Sequence, residues 1–184
     1  MIGIDEVGRG CWAGPLLVVA YRQRSALPSQ LTDSKLLTKQ RREQLLEAIV
    51  MAGDIGEGWV SAEEIDALGL TGAMQLGVER ALLAITAKED EVIIMDGTIN
   101  YCQPSYRAVQ TVIKADQAHP PVSAASVYAK VTRDRHMAEQ AKLYPDFGFE
   151  KHVGYGTALH KRQLEQHGPC ALHRRSFKPV KAFV

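Results

Sequence analysis

Short apolar, β-branched runs alternate with amphipathic helical patterns along this 184-residue chain, and the alternation restricts its fold more than any other sequence feature. Five of these runs predict strands, because each is too short for a helix and is bounded by Gly, Asp or Pro. They lie at residues 1–4, 16–21, 58–61, 92–95 and 109–113. Helices mixed with strands, with crossovers after residues 95 and 113, indicate an α/β fold with at least some parallel strands.

The helical patterns have recognisable ends. Thr38 is a suitable N-cap for a helix that Gly53 stops, and Ser61 with Glu64 forms a capping box. A separate helix is predicted after Thr71. The longest pattern follows residue 121 and is two-faced, with apolar side chains on one side and polar side chains on the other: Ser123, Ser126, Lys130 and Arg133.

Composition predicts one globular domain over residues 1–184. Hydrophobic residues make up 46% and charged residues 23%, which is ordinary globular usage. No apolar run approaches the roughly 18 residues of a membrane span, and no secretory signal is recognisable, so we expect a soluble, cytoplasmic protein without membrane contact. Three widely separated cysteines suggest neither a disulfide framework nor a zinc site.

Charge is distributed unevenly although the net charge is only +1. Residues 157–184 hold six Lys or Arg against one acid, Glu165, which gives this C-terminal segment a charge of +5. A basic segment on a nearly neutral protein favours a polyanionic partner, whereas a merely solvated face explains the same charges equally well.

Acidic residues follow three of the predicted strands. Asp96 comes directly after residues 92–95, Asp116 lies three residues after 113, and Asp5 and Glu6 follow the first strand. If these strands are buried, adjacent and parallel, their carboxyl ends bring four acids to one edge of the sheet. Hard oxygen donors without His or Cys favour magnesium or manganese. Taken singly, each acid fits an ordinary cap or turn.

Asp5 and Glu6 raise a geometric difficulty, because neighbouring residues on a regular strand point to opposite faces. We therefore predict a bulge or a strand exit at this pair. Gly3, Gly8 and Gly10 surround it and would accommodate such a break.

The string Gly3-Ile4-Asp5-Glu6-Val7-Gly8-Arg9-Gly10 resembles the N-terminal catalytic motif of the ribonuclease HII family. Further motifs resemble that family in the same order over practically the whole chain: Asp33-Ser34-Lys35-Leu36-Leu37, Met95-Asp96-Gly97, Ile113-Lys114-Ala115-Asp116, Ser123-Ala124-Ala125-Ser126, Ala129-Lys130-Val131-Thr132-Arg133-Asp134, Gly154-Tyr155-Gly156-Thr157 and His173-Arg174-Arg175-Ser176-Phe177. Each motif alone is weak, whereas the ordered set is specific.

The resemblance implies a ribonuclease H-like fold, with a mixed five-stranded sheet flanked by helices and a C-terminal helical segment at about 157–184. It implies an endoribonuclease that cuts the RNA strand of RNA–DNA hybrids and cuts at single ribonucleotides embedded in duplex DNA. Two divalent ions, Mn²⁺ or Mg²⁺, would act in the substrate complex and leave 5′-phosphate and 3′-hydroxyl ends. We expect a monomer.

The same resemblance assigns roles to individual residues. It makes four acids the metal-binding catalytic carboxylates: Asp5, Glu6, Asp96 and Asp116. It makes Gly8-Arg9-Gly10 the loop that reads the ribose 2′-hydroxyl, supported by the ring of Tyr155. Weaker candidates for phosphate contacts are Lys35, Ser123 and Lys130, and the stripe that continues to Arg133 and the basic segment would extend along the duplex backbone. Cys11-Trp12-Ala13 departs from the family, which usually has a proline and aliphatic residues there.

Two other functions remain compatible with these residues. One is a different metal-dependent nuclease on the same fold, acting on DNA or on free nucleotides. The other is a hybrid-binding module without activity, in which the acids would be vestigial, although the presence of all four acids favours an enzyme.

Overall fold

A mixed five-stranded sheet forms the centre of the fold in this computed structural model, which describes residues 1–28, 31 and 38–184. The strand order is β3-β2-β1-β4-β5. The β1–β2 and β2–β3 pairs are antiparallel, and the β1–β4 and β4–β5 pairs are parallel. The strands are β1 (Ile2–Val7), β2 (Leu16–Gln23), β3 (Gly53–Val60), β4 (Ile93–Asp96) and β5 (Val109–Val112). The predicted five strands and α/β class are confirmed.

Seven helices accompany the strands in the described part of the chain: α1 (Lys39–Ala52), α2 (Ala62–Ala84), α3 (Ala115–Ala118), α4 (Pro120–Leu143), α5 (Phe149–His152), α6 (Ala158–His167) and α7 (Lys178–Lys181). The predicted caps of the first two are confirmed. The Thr38 side chain accepts a hydrogen bond from the Arg41 amide, and Ser61 and Glu64 form a complete capping box. Both devices satisfy amides that the first helical turn leaves without partners.

The two separate helices predicted after Ser61 and Thr71 are confirmed as two helical stretches of α2. They meet at a kink at Gly69, where the backbone is not helical (φ 67°, ψ 169°). Glycine adopts this left-handed conformation without the steric penalty of a Cβ atom, so the chain changes direction there without a loop.

The sheet separates two hydrophobic layers. On one face, Ile4 and Val18 pack with Val78 and Leu82 of α2. On the other face, β2 packs against helices α1 and α4, with Val19 among the buried residues there. Burial on both faces explains why β2 is apolar from Leu16 to Tyr21 and why β1 has no polar side chain before Asp5.

Strand β5 corrects one expectation about Asp116. We predicted that it follows a buried strand, but β5 lies at the edge of the sheet and its residues are half-buried or exposed. Ile113, directly after it, is 69% exposed. An edge strand has a neighbour on one side only, so less of its surface is covered.

The polar stripe of α4 lies largely on an inner face of the helix. Ser123 and Arg133 are buried, whereas Ser126 and Lys130 are half-buried. Met137 continues the same side of the helix and is also buried. The prediction that Arg133 lines a solvent-facing track for phosphates is therefore wrong.

The C-terminal segment is held against α2 by Asp66. Its carboxylate accepts hydrogen bonds from the Arg175 amide at 2.7 Å and from the Ser176 amide at 2.9 Å. Arg174 is fully buried, whereas Lys161 and Lys178 are exposed, so not every charge of the basic segment faces solvent. No helix in the described ranges is both long enough and apolar enough to cross a membrane.

Candidate active site

The carboxyl end of β1 carries Asp5 and Glu6 without any break in the strand. Its pairing with β2 keeps one register from Ile2 to Val7, with Asp5 opposite Val19 and Glu6 opposite Val18. The predicted bulge or strand exit at this pair is therefore wrong. The pairing between β1 and β4 ends at Ile4, so β1 continues beyond its parallel neighbour. This end of β1 has no partner on its β4 side, and the Asp5 and Glu6 side chains both line the opening there.

A cavity of about 400 Å³ occupies that opening. Three of the four predicted acids line it together with two of the predicted substrate-binding side chains. The lining residues are Asp5, Glu6, Val7, Arg42, Asp96, Ser126, Lys130 and Tyr155. The fold thus gathers acids that are about 90 residues apart in the sequence.

Asp5 is the most deeply buried acid of this cavity, at 8% exposure. One of its oxygens accepts a hydrogen bond from the Glu6 amide at 2.8 Å, and the Ser126 hydroxyl of α4 also hydrogen-bonds the carboxylate. The pKa of Asp5 is raised to about 7, mainly by burial and also by the charges of Glu6 and Asp96, while the hydrogen bond from Ser126 lowers it. The site therefore disfavours its own full negative charge.

Glu6 points toward the loop that follows β1. Its Oε1 lies 3.6 Å from Nη1 of Arg9, and Nη2 of Arg9 donates to the Tyr101 hydroxyl at 3.2 Å. Burial raises the pKa of Glu6, Arg9 lowers it and Asp96 raises it, with a net upward shift. Tyr101 thus fixes the guanidinium that offsets one charge of the acidic cavity.

Asp96 contacts the backbone amide of the residue that precedes Asp116. Oδ1 of Asp96 accepts a hydrogen bond from the Ala115 amide at 2.7 Å. Lys114 adopts the left-handed conformation (φ 57°, ψ 41°) directly before α3, and this strained turn aims the Ala115 amide at Asp96. Asp116, the next residue after Ala115, is 1% exposed and is not among the residues that line the cavity.

The Ser123 hydroxyl donates a hydrogen bond to the main-chain carbonyl of Asp116. Ser123 is only 1% exposed. Its side chain therefore supports the turn that carries Asp116 and does not face the solvent, which differs from the predicted phosphate contact.

The donor set suits a hard divalent cation, because carboxylate oxygens crowd a cavity in which burial opposes their ionisation. Within the described residues, no three His, Cys, Asp or Glu side chains have an arrangement that holds a metal ion. One oxygen each of Asp5 and Asp96 accepts a hydrogen bond from the protein instead. The structure therefore brings three acids to one cavity and leaves the four-acid ligand set as a prediction.

The Gly8-Arg9-Gly10 turn directly follows Val7, which ends β1 and lines the cavity. Gly8 has φ +86°, and a Cβ atom there would lie 2.2 Å from Nε of Arg133. Arg9 and Gly10 are exposed. Main-chain groups at the tip of the turn are thus accessible, while its base packs too closely for any side chain.

The segment Cys11-Trp12-Ala13, where the sequence departs from the family, connects the Gly8-Arg9-Gly10 turn with the turn that carries Tyr155. The Trp12 amide donates to the Gly154 carbonyl at 2.8 Å. A Cβ atom on Gly156 would lie 2.1 Å from the Trp12 ring, so the ring packs directly on this glycine. The Cys11 thiol is hydrogen-bonded to the Tyr155 side chain. These residues bind the two turns into one unit.

Tyr155 presents its ring at the cavity while 41% of the residue is exposed. Nζ of Lys130 lies 5.9 Å from the ring centroid, and the same ammonium forms an ion pair with Asp134 at 2.8 Å. Burial raises the pKa of the Tyr155 hydroxyl, and the Cys11 charge adds to this shift, so the hydroxyl stays protonated at neutral pH.

Sequence reasoning missed Arg42, which lines the cavity from α1. Arg42 lies three and seven residues before the buried Leu45 and Ile49, at the spacing of one helix face. The sequence signal for Arg42 is a basic residue in line with the buried apolar face of α1. Lys35 lies outside the described residues.

Solved structures with the same architecture define the class of this protein. The ribonuclease H2 from Pyrococcus horikoshii OT3 superposes with a TM-score of 0.75 at 24% identity, over 99% of this chain and 95% of that chain. The ribonuclease HII complex with PCNA from Archaeoglobus fulgidus gives a TM-score of 0.78 at 26% identity, over 96% and 94% of the two chains. The fold is that of a ribonuclease H of the second type.

Sequence similarity defines the family within this class. Ribonuclease HII from Streptomyces avermitilis is 46% identical over 177 residues, covering 95% of this chain and 75% of the relative. Ribonuclease HII from Chloroflexus aurantiacus is 43% identical over 189 residues, covering 98% and 87%. The Ribonuclease HII family model matches residues 2–180. The chain belongs to the ribonuclease HII family, and it is a metal-dependent endoribonuclease.

The raised pKa of Asp5 predicts a stability change that is specific to metal-free protein. An unfolded Asp ionises near 3.8 and the folded one near 7, so the folded state binds more protons in between and loses stability as pH rises through this window. In EDTA, Asp5→Asn should be more stable than wild type at pH 8 by on the order of a few kcal/mol, with the difference vanishing near pH 4. Urea unfolding at several pH values measures it, and parallel pH profiles of the two proteins would contradict the assigned shift.

Proposed function

We propose that this endoribonuclease of RNA–DNA hybrids also cuts at single ribonucleotides embedded in duplex DNA, with two divalent ions, Mg²⁺ or Mn²⁺, at the acidic cavity. The observation that carries this proposal is the convergence of Asp5, Glu6 and Asp96 on one cavity beside the Gly8–Gly10 turn and Tyr155. Carboxylates supply the cation ligands, and the two turns supply groups that contact a ribose.

Asp5, Glu6, Asp96 and Asp116 would hold the ions. When bound, such ions activate water for in-line attack and stabilise the departing 3′ oxygen, which gives 5′-phosphate and 3′-hydroxyl ends. Ser126 orients Asp5 by hydrogen bonding, and the Ala115 amide orients Asp96 at 2.7 Å. Second-layer hydrogen bonds of this kind fix ligand direction and are part of the machinery of a metal site.

Recognition of RNA requires contact with the 2′-hydroxyl, the group that distinguishes RNA from DNA at a given site. The exposed tip of the turn at Gly10 offers a main-chain donor and a main-chain acceptor at close range. The half-exposed ring of Tyr155 packs against the sugar, and its protonated hydroxyl donates a hydrogen bond. Trp12 supports this pair of turns from behind.

Cationic side chains around the cavity would contact the phosphates that flank the ribonucleotide. Lys130 and Arg42 both line the cavity, and Lys35 remains a candidate from the sequence alone. Ser123 takes a different part, since its buried hydroxyl supports the Asp116 backbone. Exposed charges of the basic segment, such as Lys161 and Lys178, would extend the contact along the duplex and make binding sensitive to salt.

The catalytic unit is proposed to be a single domain over residues 1–184 that acts as a monomer in the cytoplasm. All side chains assigned here lie on one chain, and the family model spans residues 2–180. The described cysteines are free thiols, as a reducing compartment would keep them.

Removal of one cavity charge tests the proposed chemistry. Asp96→Asn keeps the size of the side chain and a carbonyl oxygen for the Ala115 amide, so the fold should persist while turnover falls by at least about a thousandfold, or roughly 4 kcal/mol of transition-state stabilisation. The assay is cleavage of duplex DNA with one ribonucleotide, mapped to the nucleotide, with Mg²⁺ and with Mn²⁺. Exposed Asp90→Asn is the matched control and should retain wild-type activity.

Three substrates separate this function from the other nuclease on the same fold. Wild type should cut the duplex with one ribonucleotide and a long hybrid, and it should leave an all-DNA duplex intact. Cleavage of the all-DNA duplex at a comparable rate, or full activity of Asp96→Asn, would refute the proposal.

Tyr155 gives a separate test of ribose recognition. Tyr155→Ala removes the ring and should lower cleavage at an embedded ribonucleotide by about tenfold to a hundredfold, a loss of roughly 1.4–2.8 kcal/mol. Tyr155→Phe keeps the ring and should lose less, which separates the packing contact from the hydroxyl contact. If Tyr155→Ala cleaves at the wild-type rate, the ring only fills a surface groove.

A further inference from the structure

Arg133 and Arg174 are the two largest fully buried side chains of the described structure, each at 0% exposure. Arg133 belongs to the inner face of α4, and Arg174 belongs to the C-terminal segment. A charged side chain is rarely placed in such an interior unless its donors are satisfied.

The Arg174 guanidinium donates hydrogen bonds to the segment that follows β1. Its Nη1 donates to the Arg9 carbonyl at 2.9 Å, and its Nε and Nη2 donate to the Gly14 carbonyl at 3.0 and 2.8 Å. Arg9 is the middle residue of the exposed turn, so this contact acts directly on the turn. Burial lowers the pKa of Arg174 to about 10, which leaves it charged at neutral pH.

The Arg133 guanidinium holds both turns at once. Its Nε donates to the Pro15 carbonyl at 2.8 Å and its Nη2 to the Ala13 carbonyl at 3.3 Å. Its Nη1 donates to the Val153 carbonyl at 2.8 Å, directly before the turn that carries Tyr155. One planar group thus fixes the distance between the two turns.

Val153 shows that this arrangement is imposed by its surroundings. It adopts the left-handed conformation at φ 46°, which is unfavourable for a β-branched residue. Its carbonyl accepts from Arg133 and from the Cys11 thiol. Strain of this kind persists where several contacts over-determine the backbone, and it is concentrated at functional sites.

Carbonyl groups between Arg9 and Pro15 are directed inward by these bonds. Neither guanidinium group bonds to Gly10, which is exposed at the tip of the turn. Its main-chain groups therefore remain available to a ribose. Loss of either arginine would free the turn to adopt other conformations, and a turn with several conformations presents its donors and acceptors to the sugar less often.

We propose that Arg133 and Arg174 are positioning residues that hold the Gly8–Gly10 turn and the Gly154–Gly156 turn in the one arrangement able to read a ribose. The inference rests on the proposed function of these turns. In this proposal the two arginines do not contact the substrate. They contribute to ribose recognition only by holding backbone carbonyls of the two turns.

Lysine substitutions test it, because lysine keeps the charge but lacks the planar fork that reaches two carbonyls in fixed directions. Arg174→Lys and Arg133→Lys should each lower kcat on duplex DNA with one ribonucleotide by at least about tenfold, while KM changes by less than about threefold. Assays run well below the midpoint of thermal unfolding of each protein, so loss of folded enzyme does not contribute.

Arg22→Lys is the matched control. Arg22 is a buried arginine opposite Ile2, at the other end of β1 from the cavity, and it bonds to Glu91, Asp54 and the Ile85 carbonyl. Its substitution should lower thermal stability by a similar amount and leave kcat unchanged. Equal kcat losses in Arg22→Lys and in the two other variants would reduce Arg133 and Arg174 to general structural residues and overturn the inference.

The outcomes distinguish this inference from the function on which it rests. If wild type fails to cut the ribonucleotide-bearing duplex, both are overturned, whereas normal wild-type cleavage with unchanged kcat in the lysine variants overturns the positioning role alone. If the lysine variants do not fold, hydrogen exchange of wild type decides. The Trp12 and Gly14 amides should exchange as slowly as those of β1, and rapid exchange there would contradict a held turn.

Discussion

Electrostatic repulsion among buried carboxylates is the constraint on which the site depends. β1 runs past the last residue of its parallel neighbour and leaves Asp5 and Glu6 at an opening that Asp96 also borders. Burial and mutual repulsion raise the pKa of both Asp5 and Glu6, so the fold maintains this cluster at a cost in stability. A protein that kept such a cluster for stability alone would gain by replacing it, whereas cation binding gives the cluster a use.

One face of α4 connects the parts of the site. Along it, Ser123 supports the Asp116 backbone, Ser126 bonds to Asp5, Lys130 lies near the Tyr155 ring, and Arg133 holds both turns. These residues are three or four positions apart, so successive turns of α4 contact successive parts of the site. Because one rigid element carries all four contacts, carboxylates and ribose-binding turns keep a fixed relation.

Sequence patterns predicted the strands, the helix caps and the family well, because strand runs, caps and ordered motifs are local signals. The predicted bulge at Asp5 is absent because β1 stays regular. The cavity opens where the pairing of β1 with β4 ends at Ile4. The burial of Arg133 could not be read from the sequence, because its partners Ala13 and Pro15 are about 120 residues away and are main-chain atoms of no particular residue type. Arg42 was readable as a basic residue on an apolar stripe.

Divalent-ion binding to metal-free protein tests the central claim most directly. Calorimetric titration of Mn²⁺ in buffers of different ionisation enthalpy measures affinity and proton release together. The account predicts that binding at pH 6 releases about one proton, mainly from Asp5, that the release disappears near pH 9, and that Asp96→Asn loses the tight binding. Unchanged binding in Asp96→Asn, or binding without proton release at pH 6, would contradict a shared site built from these carboxylates.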